Sequence, residues 1–194
     1  MIPRRLVALV AAALVTAAAC VGAATPTSFD PAAPCAGVDE QRMAGAFPEL
    51  EKTVPGTIAG VPPSVLESGR YCSKASLGGL AEAGIGEARF GAGTWDHGGG
   101  KAVSLVTFEA EGLTARTMFE SYLAGARADS AHVHDIVQKD LQVGDLVGYR
   151  LDFLNGESFQ RILVWPGPGD GQVRVTLAAD LTDAEIQAAL DAFH

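Results

Sequence analysis

Residues 146–165 read LVGYRLDFLNGESFQRILVW, and this stretch decides the fold. Val147, Tyr149, Leu151 and Phe153 alternate with Arg150 and Asp152, the period-two pattern of a strand with one buried face. Asn155-Gly156 then breaks the run. Both residue types accept positive φ, so the pair predicts a type I′ turn and a hairpin returning over 157–165. A second turn, PGPGDG at 166–171, leads into a third strand, QVRVTLAA at 172–179. Thr182 with Glu185 then makes a capping box, and the helix behind it points Ile186, Leu190 and Phe193 inward.

Upstream, residues 134–142 predict a modest strand. Thr114 caps a helix through about Arg127, with Met118, Phe119, Tyr122, Leu123 and Ala126 in a stripe at spacings of three and four. Before it, EARFGAGTW (87–95) and KAVSLVTFE (101–109) read as two strands around the loop DHGGG (96–100). Over 85–194 the order is ββαββββα. The connections are short, so the expectation is an α+β fold: a largely antiparallel sheet of about six strands flanked by helices.

Residues 35–84 read as a helical or irregular part of the same domain. A helix over 38–52 carries Met43, Phe47 and Leu50, with Pro48 interrupting it. Residues 53–66 hold three prolines and predict an extended connector. Ser73 caps a helix over 74–83, with Gly84 beyond its end. The domain organisation is therefore a signal peptide at 1–19, a flexible spacer at 20–34 and one domain at 35–194.

The signal is read from Arg4 and Arg5 before the apolar run Leu6 to Ala19, which ends in small residues. That run is shorter than the roughly 20 apolar residues a membrane span needs. Export from the cytoplasm follows, and the Ala-, Pro- and Thr-rich stretch 20–34 reads as a flexible tether. The sequence Ala17-Ala18-Ala19-Cys20 resembles the signal of bacterial lipoproteins. The resemblance implies that Cys20 is acylated, becomes the mature N-terminus and anchors the chain to a membrane of the cell envelope. An ordinary signal-peptidase cut after Ala19, Ala23 or Ala24 is the alternative, and it makes the protein secreted. The chain has three cysteines. With lipid on Cys20, Cys35 and Cys72 remain as one disulfide pair, and they form no Cys-x-x-Cys redox or zinc motif.

The element order over 85–194 is similar to that of the PsbP/Mog1-like fold. That resemblance implies a non-catalytic binding or assembly role and carries no diagnostic motif.

The formal net charge is −9, and removal of Arg4 and Arg5 with the signal takes it to −11. An acidic chain of this kind argues against a nucleic-acid partner and against electrostatic docking on anionic lipid. Two sets of residues are candidates for chemistry. His132 and His134, two apart and followed by Asp135, could face one metal ion, with Asp96 and His97 as distant donors. Trp95, Asp96 and His97 beside Gly98, Gly99 and Gly100 could form a ligand loop. Asp152, Glu157 and Asp180 are dispersed through strands and turns and read as solvated surface carboxylates rather than as a glycosidase pair. Lys101 after Gly100 makes no P-loop, because Ala102 stands where Ser or Thr is required. No nucleophile elbow, His-Glu-x-x-His helix or dinucleotide fingerprint occurs.

The expected function is thus an exported, lipid-anchored binding or scaffold protein without a cofactor, with an unknown protein or small-molecule partner. The alternative is an extracytoplasmic hydrolase or metal-dependent enzyme using Asp96, His97, His132 and His134. A third option is capture of a small apolar or cationic ligand.

Overall fold

The structure is a computed structural model and describes residues 30, 33, 35 and 42–194. The signal peptide, Cys20 and most of the spacer lie outside the described residues. In chain order the elements are α1 (Pro48–Glu51), β1 (Val65–Tyr71), α2 (Lys74–Leu77), α3 (Gly79–Glu82), β2 (Ala88–Gly98) and β3 (Lys101–Glu109). They continue with α4 (Ala115–Ala128), β4 (Val133–Val143), β5 (Leu146–Asn155), β6 (Ser158–Pro166), β7 (Gln172–Ala179) and α5 (Asp183–Phe193).

One antiparallel sheet of seven strands carries the fold, in the order β1-β2-β3-β7-β6-β5-β4. The α+β class and the ββαββββα order from β2 onward match the sequence expectation. The strand count does not: β1 is a seventh strand within the region read as connector and irregular chain. Its sequence VLESGRY lacks alternation because Ser68, Gly69 and Arg70 are all buried. Met43 pairs with Ser68 from outside, and a methyl on Gly69 would lie 3.0 Å from the Phe90 ring.

Two helix expectations change for local reasons. In place of a helix over 38–52, the described part of that stretch contains only α1, with Pro48 in its first turn. There the fixed φ suits a helix start and the missing N–H would have had no partner. The helix expected over 74–83 is split into α2 and α3 at Gly78, whose φ of 51° continues neither helix. The Ser73 cap forms as expected, its Oγ accepting from Ser76 N at 3.1 Å.

Each face of the sheet has its own core. On one face, α2, α3 and α4 cover Phe90, Phe108, Leu151, Val164 and Val175. The α4 stripe of Met118, Phe119, Leu123 and Ala126 is buried there, and Phe119 stacks on Tyr149 at 5.0 Å between ring centroids. On the other face, α5 and the segment after α1 cover Trp95, Leu105, Leu163 and Trp165. Trp165 meets Phe193 edge to face at 5.6 Å, a favoured aromatic geometry. The capping box of α5 is complete: Glu185 N donates to Thr182 Oγ1, and Thr182 N donates to the Glu185 carboxylate at 2.7 Å.

Candidate functional site

The β2–β3 hairpin places Trp95, Asp96 and His97 in three different environments. Trp95 points into the core of the α5 face, and its indole N–H donates to Val61 O at 2.8 Å. Asp96 leaves the opposite face, where its carboxylate accepts from Gly98 N at 2.7 Å, a local turn contact. His97 is exposed. Gly98, Gly99 and Gly100 have φ of 75°, 64° and 87°, so their glycine identity serves the reversal of the chain.

His132 and His134 are also exposed, and each lies beside a near neighbour. His132 Nδ1 is 2.8 Å from Asp129 Oδ1 at the end of α4. His134 Nδ1 is 3.1 Å from Asp135 Oδ2, and its Nε2 is 3.1 Å from Gly156 O in the β5–β6 turn. The pairing shifts between His134 and Val137, and Asp135 adopts φ 55°, so this end of β4 is irregular.

The two histidine regions do not meet. β3, β7, β6 and β5 separate β2 from β4. Five strand spacings of about 4.8 Å put the strands that carry His97 and His134 roughly 24 Å apart along the sheet. Among the described residues no group of three or more His, Cys, Asp or Glu side chains is placed to hold a metal ion.

The dispersed carboxylates separate by environment. Glu157 is exposed in the β5–β6 turn. Asp180 accepts from Ser158 Oγ and Phe159 N, both at 2.7 Å, and pins the start of β6. Asp152 is buried in a charged network. Arg150 Nε reaches both of its oxygens at 2.9 Å, and Arg161 Nε donates to it at 2.9 Å. Arg161 also pairs with Asp183 in the first turn of α5. Burial alone would raise the Asp152 pKa, but hydrogen bonds and charge from Arg150 and Arg161 outweigh it and hold the carboxyl below its ordinary value. The hydrogen bond and charge of Arg161 lower the Asp183 pKa as well.

Sequence reading missed an open cleft of about 1070 Å³. Three connections form it: α3–β2 (83–87), β3–α4 (109–112) and the end of the β6–β7 turn (170–171), with Cys35 on its wall. Ala110 N donates to Gly171 O at 3.0 Å and ties two of these loops together. A methyl on Gly171 would lie 2.3 Å from Ala110 O, and its φ is 70°, so glycine is required. Glu87, Glu109, Glu111 and Asp170 face this cleft against one cation, Arg89. Glu87 is engaged by Arg89 at 2.9 Å, and Glu109 accepts from Gln172 at 2.7 Å. The available signal was three short loops with Gly84, Gly112 and Gly171, which cannot be assigned to one place without the sheet order.

Cys35 and Cys72 form a disulfide, with Cα atoms 5.6 Å apart. Such a bond fits an oxidising, extracytoplasmic compartment. Among the described residues no helix is long and apolar enough to cross a membrane. No protein-family model matches the chain, and no curated protein matches it.

Proposed function

We propose that this chain is an exported, lipid-anchored protein of the bacterial cell envelope that acts by binding or scaffolding. The Cys35–Cys72 disulfide carries the reading. It uses two of the three cysteines and leaves Cys20 as the remaining one, directly after the small residues that close the signal. Acylation at Cys20 gives that odd cysteine a role. Stable anchoring takes more than one lipid chain, and lipoproteins of the resembled kind carry two or three. The cleft beside Cys35 supports a binding role, and its excess of carboxylates favours a basic ligand or partner.

The test is the intact mass and fractionation of the full chain expressed in a bacterial host, beside Cys20→Ala. The expected wild-type protein starts at Cys20, carries a diacylglyceryl-sized increment and sediments with membranes, while Cys20→Ala appears in the soluble fraction. A lipid-free chain starting at Val21 or later would overturn the anchor.

A further inference from the structure

Three neighbouring side chains on the α5 face of the sheet keep polar atoms without partners. Trp165 on β6 stands opposite Arg174 on β7, and Thr176 lies two residues further along β7 on the same face. Trp165 and Thr176 are fully buried, at 0% exposure each. Trp165 Nε1, Arg174 Nε and Thr176 Oγ1 are all buried and make no hydrogen bond. Four other polar residues on this face have partners. Trp95 Nε1 has Val61 O, Thr107 has Thr53 Oγ1, and Arg150 and Arg161 have carboxylates. Arg174, half-buried, has neither an ion pair nor a hydrogen bond among the described residues; its guanidinium rests on the Phe193 ring at 5.0 Å.

A buried donor without an acceptor loses its hydration and gains nothing in return. The three groups here are alike in sense. An indole N–H and a guanidinium N–H can only donate, and a threonine hydroxyl can turn to donate. One of them is also a cation partly removed from water, with no ion-pair partner among the described residues, in a chain of net charge −9. Desolvation lowers the Arg174 pKa for the same reason. A water molecule would satisfy donors but leave the charge uncompensated. An anion does both, through charge-assisted hydrogen bonds.

We propose that Arg174, Trp165 and Thr176 form a binding site for a small anion, a carboxylate or a group of like size. The anion enters from the half-exposed guanidinium side and accepts from the indole and hydroxyl behind it. Complete burial of Trp165 and Thr176 restricts the occupant to a small group. This site is independent of the acidic cleft and of the lipid anchor.

The chain contains two tryptophans, so a ¹⁵N-labelled sample gives two indole N–H resonances, and Trp95 is the internal control. Trp165→Phe assigns them. On titration with sodium acetate, the Trp165 resonance is expected to move along a saturating curve while that of Trp95 stays. Arg174→Gln should raise the half-saturating acetate concentration by roughly tenfold or more, the scale of a lost charge-assisted hydrogen bond. The same spectrum reports whether the variant is folded. If Arg174→Gln does not fold, Thr176→Val keeps shape and charge, removes one donor and should still weaken acetate binding measurably. A Trp165 resonance that ignores acetate, a shift unchanged in these variants, or a crystal structure in acetate with only ordered water at these atoms would overturn the proposal.

Discussion

Asp152 on β5 and Arg161 on β6 face each other across the central hairpin, and the arginine joins that carboxylate to Asp183 at the start of α5. This relay fixes the helix on the sheet through charge as well as through the Trp165–Phe193 contact. Asp152 and Arg161 are 7% and 8% exposed, so neither can recover full hydration when its partner is removed.

Asp152→Asn keeps the shape and leaves Asp183 as the counter-ion of Arg161, but it removes the charge that Arg150 and Arg161 share, and it should destabilise the protein by about 1.5–3 kcal/mol, the scale of hydrogen bonds to charged groups. Stability should also depend on pH in a defined direction. The folded-state pKa of Asp152 is depressed, so the unfolded chain binds the proton first as pH falls. The contribution is fully present above the ordinary aspartate value of about 4 and is lost as pH falls through the lower folded value. Urea midpoints at pH 7 and near pH 3 check this. The acid-induced drop should shrink in Asp152→Asn, and an equal drop in both proteins would remove Asp152 from the account.

The Cys35–Cys72 bridge spans 37 residues and holds the chain before β1 to the start of α2. By chain entropy, a loop of that size contributes about 4 kcal/mol. Reduction, or Cys72→Ser, should lower the urea midpoint correspondingly, with the loss shared between the two treatments and not additive. A reduced protein as stable as the oxidised one would show that the sheet alone fixes this region.

The hairpin of residues 146–165 was legible because strand alternation and an Asn-Gly turn agree. Its register was legible as well, since a turn that pairs Asn155 with Ser158 necessarily pairs Asp152 with Arg161. The buried network could have been read from that register, yet Asp152 passed for a surface carboxylate because charged residues rarely sit inside. β1 was not legible, because burial of Ser68, Gly69 and Arg70 depends on Met43 and α1 arriving from elsewhere in the chain. The sites divide in the same way. His132 and His134 lie close together in the fold as in sequence, but their separation from His97 is a property of strand order alone. The acidic cleft joins loops from distant segments, which no spacing rule reports; the Arg174 cluster lies within the single β6–β7 hairpin, and its burial under α5 is what the sequence leaves open.

His97, His132 and His134 are exposed; His132 and His134 each lie beside a neighbouring aspartate, and His134 also reaches Gly156 O in the β5–β6 turn. His97→Asn, His132→Asn and His134→Asn should each change stability by less than about 0.5 kcal/mol, as surface substitutions do. Thermal melts with and without zinc check two things together. A coincident metal-induced shift in wild type that is lost in both His132→Asn and His134→Asn would revive a metal role for the pair.

Gly91 shows how tightly the N-terminal part is seated on the sheet. A methyl there would lie 2.4 Å from the carbonyl carbon of Leu50 and 2.6 Å from its oxygen. These are backbone atoms, so no side-chain rotation relieves the contact, and α1 must lift from β2. Gly91→Ala should cost about 1–3 kcal/mol, the range for overpacking. The loss should be local in hydrogen exchange: the amides of Thr53 and Val54, bonded to Leu50 O and Glu51 O, should exchange faster, while those of β5 and β6 stay protected. Uniform acceleration across the sheet would mean that α1 and the sheet unfold as one unit.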